Sequence, residues 1–551
     1  MPASYLHPGV YVEEVPSAQQ PIAGVGTNTV GFVGIVPDVI RYPVPNDWYD
    51  PHLAEIVQRG EGASKEEKEV HAEAVKQLEA LIAEAKKDKK ETEEATNKIK
   101  ALEASKKKLT DDIEARAADV AKVADPAQKE KDTKKLNTDR AQMEKETKAI
   151  DQQLDEEKKK LAEGVTRDDF LRPYRIETFL VARALDAKLC TNFTEYTDRF
   201  GSYSADDPSK PVSQALHPGH RALTHAVAGF FKNGGTRCFV VRVASDNGKE
   251  LDKALEQIAS IDEVAIVAAP GLTGRGIWDK LTTHCEEMGD RFAILDPTEV
   301  VGTEDDLDVK QLNYSATSVG EIMPDRNRNA AFYFPFLEVI DPAKQLQDRD
   351  PVRGVPPKHR GKVYVPPSGH VAGVYARVDA ERGVHKAPAN EALLGVNDLK
   401  YYIGNRRQDL LNPQGVNCIR NMNGSIRVYG ARTVGGDRNG EFKYVNVRRV
   451  LLFLKESIDE GTQWVVFEPN DTALWAKIRL NVSAFLTNVW RSGALFGVTP
   501  QQAFYVKCDE ETNPPEVRDL GQVITEIGVA IVRPAEFVIF RITQWSGPNK
   551  S

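Results

Sequence analysis

Residues 461–470 read Gly-Thr-Gln-Trp-Val-Val-Phe-Glu-Pro-Asn and lead into a run, residues 473–490, in which Leu474, Ile478, Val482, Phe485 and Val489 recur every three or four positions. That spacing predicts a helix with one buried face. Extended segments are expected on either side of it. Residues 464–467 and 503–507 are β-branched or aromatic runs bounded by Gly, Pro or Asn, and residues 536–543 alternate as a strand does. The last segment, Pro534-Ala-Glu-Phe-Val-Ile-Phe-Arg-Ile-Thr-Gln-Trp545, is expected either to close its own domain or to be offered to another molecule.

Working outward, 551 residues with 41% apolar content can fill more than one core. A formal net charge of -9 disfavours binding to nucleic acid through phosphate neutralisation. The five cysteines, Cys190, Cys238, Cys285, Cys418 and Cys508, are odd in number and never spaced Cys-x-x-Cys, which argues against a disulfide framework and a zinc cluster. No run approaches about 18 uninterrupted apolar residues, and the amino terminus has no signal-peptide pattern, so synthesis in the cytoplasm without membrane insertion is expected.

Residues 29–36 form an apolar run suited to a buried strand. Between residues 60 and 164 the composition turns to Lys, Glu, Ala, Asp and Gln, with no aromatic residue. Ile99, Leu102, Leu109, Ile113 and Val120 make one heptad-like stripe; Leu136, Met143, Ile150, Leu154 and Leu161 make another, with Pro126 between them. The reading is an inserted coiled-coil hairpin; a disordered charged tract is the alternative. After residue 167 three helix-then-strand units follow: residues 221–231 then 237–243, 251–258 then 264–269, and 278–288 then 291–295. Such alternation implies a largely parallel sheet covered by helices. Residues 341–367, rich in Pro and charge, read as a loop or linker.

Candidate chemistry is sparse. The loop of residues 270–278 lies between a strand and a helix, but it lacks both the Gly-x-x-x-x-Gly-Lys-Ser/Thr and the Gly-x-Gly-x-x-Gly patterns. His217, His220 and His225 have no thiolate or acidic ligand nearby in sequence. Ser368 and His370 are read as lying in a turn, without a nucleophile elbow. No catalytic residue, cofactor site or metal site is assigned. Residues 400–450 hold ten Lys or Arg (Lys400, Arg406, Arg407, Arg420, Arg427, Arg432, Arg438, Lys443, Arg448, Arg449) against three acids. This excess is either a contact for an acidic partner surface or solvated charge with internal pairing.

Several blocks together carry a specific resemblance: Gln463-Trp-Val-Val-Phe-Glu-Pro-Asn470, Leu495-Phe-Gly-Val-Thr-Pro500, Tyr505-Val-Lys-Cys-Asp-Glu-Glu-Thr-Asn513, Pro534-Ala-Glu-Phe-Val-Ile-Phe-Arg-Ile542, Pro8-Gly-Val-Tyr-Val-Glu-Glu14 and Phe230-Phe-Lys-Asn-Gly-Gly-Thr-Arg237. The chain resembles contractile tail sheath proteins of phage tails and phage-tail-like injection systems over most of residues 8–36 and 186–545. It departs at His385, where the family commonly has Trp, and the resemblance is silent on residues 60–164.

The resemblance implies an α/β and α+β multidomain chain. The expected parts are a strand-donating arm (1–25), the start of an α/β domain (26–59), the coiled-coil hairpin (60–166), the α/β sheath domain (167–345), a linker (346–366), a C-terminal α+β sheath domain (367–533) completed by exchanged strands, and a second arm (534–551). It further implies a non-enzymatic subunit that polymerises with itself as stacked rings around an inner tube protein and contracts without nucleotide hydrolysis. Baseplate and terminator or cap proteins are the other expected partners. Val10, Tyr11, Val12, Glu13, Glu14 and Val15 of one arm and Glu536, Phe537, Val538, Ile539, Phe540, Arg541 and Ile542 of the other are the expected exchanged strands. Arg448, Arg449 and Lys455 are the tube-facing candidates. A coiled-coil ATPase or an α/β hydrolase is the rival from another class.

Overall fold

The computed structural model describes residues 21–46, 48–60, 64–85, 150, 170–207, 214–245, 248–314 and 322–541. The expected strand of residues 10–15, most of the helical hairpin and Ile542 lie outside the described residues.

In chain order the strands are β1 Val30–Ile35, β2 Val39–Pro45, β3 Tyr174–Leu180, β4 Lys188–Cys190, β5 Cys238–Val243, β6 Ile266–Ala268, β7 Phe292–Leu295 and β8 Ala330–Phe334. Then come β9 Leu337–Ile340, β10 Lys362–Val365, β11 Glu391–Ala392, β12 Val396–Leu399, β13 Val416–Met422, β14 Ser425–Val428, β15 Phe504–Lys507 and β16 Glu526–Val529. Nine of them form one sheet in the order β11-β14-β13-β8-β7-β6-β1-β5-β4. From β13 to β5 the pairs are parallel, and antiparallel strands close both ends.

Period-two alternation sends successive strand residues to opposite faces, and both faces are apolar. Phe32, Val240, Ile266, Ile294 and Tyr333 enter one core, beneath helices Pro218–Lys232 and Ser368–Arg382. Val33, Val241, Val267, Ala293 and Phe332 enter the other, beneath helices Gly248–Ala259 and Arg275–Met288. The first pair of helices packs closely because glycines remove side chains at the crossing. A Cβ on Gly369 would lie 2.3 Å from Ala226, and one on Gly373 would lie 2.4 Å from the Phe230 carbonyl oxygen.

Three sequence expectations need correction here. Ser368 and His370 begin a buried helix rather than a turn. Residues 464–467 form no strand: helix Val445–Thr462 runs on into a 3-10 turn, Gln463–Val465, closed by the Val466 backbone N donating to the Gln463 carbonyl oxygen. Residues 346–366 are no linker, since β10 pairs with β9 and the great sheet continues through β13 and β14. Several charges of residues 341–350 point inward, where Asp341 and Asp348 are fully buried. Arg221 lies 3.1 Å from Asp341 and 2.6 Å from Asp206, and Lys344 lies 2.7 Å from Asp348. Buried charge is tolerated only when paired in this way.

A third core lies in the C-terminal half. Asp471 accepts a hydrogen bond from the Leu474 backbone N at 2.8 Å, capping helix Thr472–Arg491 at its start. This helix puts Leu474, Ile478, Val482, Phe485 and Val489 inward with Val450 and Leu454 of helix Val445–Thr462, as the sequence spacing predicts. β15 and β16 pair antiparallel with each other as a separate two-stranded sheet over this core.

Candidate functional site

The site is the place where the C-terminal segment leaves the body. The Val532 backbone N donates to the Ala494 carbonyl oxygen, and Asn446 Nδ2 donates to the Val532 carbonyl oxygen. Four residues later the Glu536 carboxylate enters a cage of donors. Arg432 Nε and Nη2 donate to its two oxygens at 2.8 and 2.9 Å, Asn412 Nδ2 donates at 2.7 Å and the Tyr444 hydroxyl at 2.8 Å. Two parallel N–H donors on one carboxylate fix direction as well as distance. Burial alone would raise the Glu536 carboxyl, but the bonds from Arg432, Asn412 and Tyr444 hold it below the usual range.

Arg432 is held by other groups besides Glu536. Its backbone N donates to Asn417 Oδ1 and its carbonyl accepts from Asn417 Nδ2, both at 2.7 Å, which ties it to β13. Past the cage the chain changes character. Phe537, Val538, Ile539 and Phe540 are 70, 68, 78 and 84% exposed and belong to no sheet among the described residues.

The other end of the body is tied down by a second guanidinium. Arg449 Nη1 and Nη2 donate to the two oxygens of Asp379 at 2.9 and 2.6 Å, and Nη2 also donates to the Thr27 carbonyl oxygen at 2.8 Å. Thr27 Oγ1 donates to Asp379 at 2.7 Å, and Gly461 lies against Ile22. Burial works against the Arg449 charge; Asp379 outweighs it and holds its pKa above the ordinary value.

Two of the three tube-facing candidates are therefore misplaced. Arg449 is 4% exposed in this clamp, and Arg448 is 6% exposed, donating to Asn329 Oδ1 at 2.7 Å and lying over the Phe442 ring. Neither reaches a surface of the subunit. Lys455 does; its ammonium donates to the Gly289 carbonyl oxygen at the end of helix Arg275–Met288. The basic excess of residues 400–450 resolves largely into internal pairing: Lys400 with Glu299 and Glu304, Arg407 with Asp306, and Lys443 with Asp437.

The other clusters are structural. His220 Nε2 lies 2.8 Å from the Phe200 carbonyl oxygen, and His225 Nε2 lies 3.2 Å from Asp341. Among the described residues no group of three or more His, Cys, Asp or Glu is placed to hold a metal ion, and no helix is long and apolar enough to cross a membrane. In the loop after β6 the Gly271 backbone N donates to Asp296, which also takes the backbone N and hydroxyl of Ser368. Burial pushes the Asp296 carboxyl up to about 6. Sequence reading named Glu536 as a strand residue and missed its cage. Asn412, Arg432 and Tyr444 lie 124, 104 and 92 positions away, so no local pattern joins them.

The chain is similar to known proteins along much of its length. A chain of the cryo-EM structure of the anti-feeding prophage baseplate superposes with a TM-score of 0.52 and 28% identity, covering 66% of this chain and 88% of that chain. The sheath complex of the extracellular contractile injection system PVC, in its contracted state, gives a TM-score of 0.53 at the same identity and coverage. The tail sheath protein of Vibrio phage KVP40 is 29% identical over 32% of this chain and 26% of its own length. That of Burkholderia phage BcepMu is 28% identical over 37% of this chain and 40% of its own. The chain thus spans well under half the length of these two curated relatives. The family model of the phage tail sheath protein central domain matches residues 247–434, and that of the phage tail sheath C-terminal domain matches residues 437–544. With these two models covering more than half of its residues, the chain belongs to the phage tail sheath protein family.

Proposed function

We propose that this chain is a structural subunit that polymerises as stacked rings around an inner tube and contracts to drive that tube through a target envelope, without nucleotide hydrolysis. The observation that carries the reading is the run Phe537, Val538, Ile539 and Phe540, exposed directly beyond the Glu536 cage. Four consecutive large apolar side chains are suited to a strand covered on both faces. β15 and β16 make a two-stranded sheet, which is marginal alone. Strand addition from a neighbouring copy supplies what each part lacks, hydrogen-bond partners for the arm and width for the sheet. Residues 10–15 are assigned the same role at the other end, with the inner tube, the baseplate and a terminator as further partners. Lys455 remains the tube-facing candidate.

The relatives lend no support to an ATPase or a hydrolase. The test is assembly of the full chain beside a chain lacking residues 537–551, viewed by negative-stain microscopy. Striated hollow cylinders from the first and dispersed, folded subunits from the second are expected. Normal cylinders from the truncated chain would remove strand exchange from the reading.

A further inference from the structure

We propose that the Arg432–Glu536 cage is a tether stop, which sets how much of the C-terminal arm is free to span between neighbouring copies of this chain. This rests on the strand-exchange reading above. Upstream, the Val532 backbone is bonded to Ala494 and Asn446, and the next anchor along the described chain is the Glu536 carboxylate. With the cage closed, the free arm starts at Phe537. With it open, the free arm starts at Arg533, four residues earlier, and at ~3.4 Å per extended residue the linkage gains about 14 Å of slack.

The cage has the properties of a stop rather than of a fold element. Its receiving side is preorganised without the arm: Arg432 is held through its backbone by Asn417 and through Nη1 by the Asn412 carbonyl oxygen at 2.9 Å and Asp437 at 3.2 Å. Glu536 contributes only a carboxylate, on a segment that adds no side chain to any apolar core. Lys443 stands 3.8 Å from the same carboxylate and also pairs with Asp437 at 2.7 Å, and Arg432 reaches Asp437 too, so one carboxylate stays with the two cations when the arm leaves. A load on the arm enters the body at Arg432 and passes through Asn417 into β13, inside the nine-stranded sheet. Arg432 is thus a positioning residue for the linkage, and the partner that feels it is a second copy of this chain.

Three variants of the full chain separate this proposal from strand exchange itself. Glu536→Ala opens the cage, an insertion of four Gly/Ser residues between Glu536 and Phe537 lengthens the free arm with the cage intact, and removal of residues 537–551 deletes the strand. Subunit melting and the length and layer-line sharpness of assembled cylinders are measured for each. The first two are expected to melt as the parent does and to give cylinders with blurred layer lines and about tenfold lower mean length, as slack lowers the effective concentration of the arm; the third is expected to give none. Parent-like cylinders from Glu536→Ala, or a sharp lattice from the insertion, overturn the tether stop and leave strand exchange standing. Normal cylinders from the truncation overturn both. A Glu536→Ala subunit that melts well below the parent makes the residue part of the fold and also overturns the proposal.

Discussion

Arg449 and Asp379 meet inside the protein as a two-pronged ion pair, with the side chains 3 and 4% exposed and the Arg449 guanidinium 4.7 Å from the centre of the Tyr375 ring. The pair joins helix Val445–Thr462 to helix Ser368–Arg382 and holds Thr27 between them. Arg432 and Arg449, seventeen positions apart, therefore secure the two ends of the described body.

Removing only one member of this pair leaves the other as an uncompensated buried charge. Arg449→Met is expected to lower unfolding stability by ~3–5 kcal/mol. Adding Asp379→Leu to it should recover much of the loss, because a pair of apolar groups of similar volume needs no solvation. Urea unfolding of the single and double variants decides the matter; a single variant within 1 kcal/mol of the parent, at the resolution of roughly ±10–15% in such extrapolations, would show that the clamp is not closed in solution.

The crossing of helices Pro218–Lys232 and Ser368–Arg382 makes a sharper steric test. Gly369→Ala brings a methyl group to 2.3 Å of Ala226 backbone atoms, closer than any relaxed contact. The helices must separate, which is expected to lower stability by at least ~1–3 kcal/mol. Equal chemical denaturation midpoints for parent and variant would contradict the packing.

These cases show what sequence could and could not convey. The strand at residues 29–36 and the helix at residues 473–490 were legible because apolar period and local partners lie in the same few residues. Helix Ser368–Arg382 was not, because it is buried on nearly every side and so has no polar stripe to reveal its period. The charges of residues 341–350 looked like a linker, and those of Arg448 and Arg449 looked like a surface. Although Lys344 and Asp348 are four positions apart, the other partners are remote: 70 positions separate Arg449 from Asp379, 119 Arg448 from Asn329 and 116 Asp341 from His225. At the C-terminal site the apolar run of residues 537–540 is plain in the sequence, whereas the cage at its root is a purely tertiary object.

Acid should weaken the fold through its buried histidines. Burial pulls His220 down to about 4 and His370 to about 3, so both stay neutral in the folded chain while the unfolded chain takes up protons below about 6.5. Their contribution is complete above that pH and is lost as pH falls toward 4. Asp296 works the other way: with its carboxyl at about 6, the folded state gains a proton earlier than the unfolded one and is stabilised as pH falls from 6 toward 4. Asp296→Asn removes that compensation, so its melting temperature should fall more steeply than the parent's between pH 7 and pH 5. Parallel curves would mean that Asp296 does not titrate in this range.

The long insertion offers the last prediction, and the structure changes where it should be cut. From sequence alone, replacing residues 61–164 with a short Gly/Ser linker is expected to leave the fold intact, since surface insertions are generally tolerated. The described root of the insertion is more than a connection, however. Asp50 caps helix Pro51–Arg59, and Ser64 and Glu67 form a reciprocal capping box at the start of helix Lys65–Ala85. Leu53, Ala54 and Val57 of the first helix are buried against Ala74 and Leu78 of the second and against Phe170 and Leu171, with Trp48 stacked on Phe170 at 5.3 Å. A cut from residue 61 removes Ala74 and Leu78 and exposes Leu53 and Val57, at ~1.5–3 kcal/mol for each large side chain left uncovered. A cut confined to residues 86–149 keeps this small core. The shorter deletion should therefore melt as the parent does and still form cylinders, while the longer one should melt lower or aggregate. If both behave alike, the root is not a packed unit; if the shorter deletion also fails to assemble, the insertion takes part in contacts between copies.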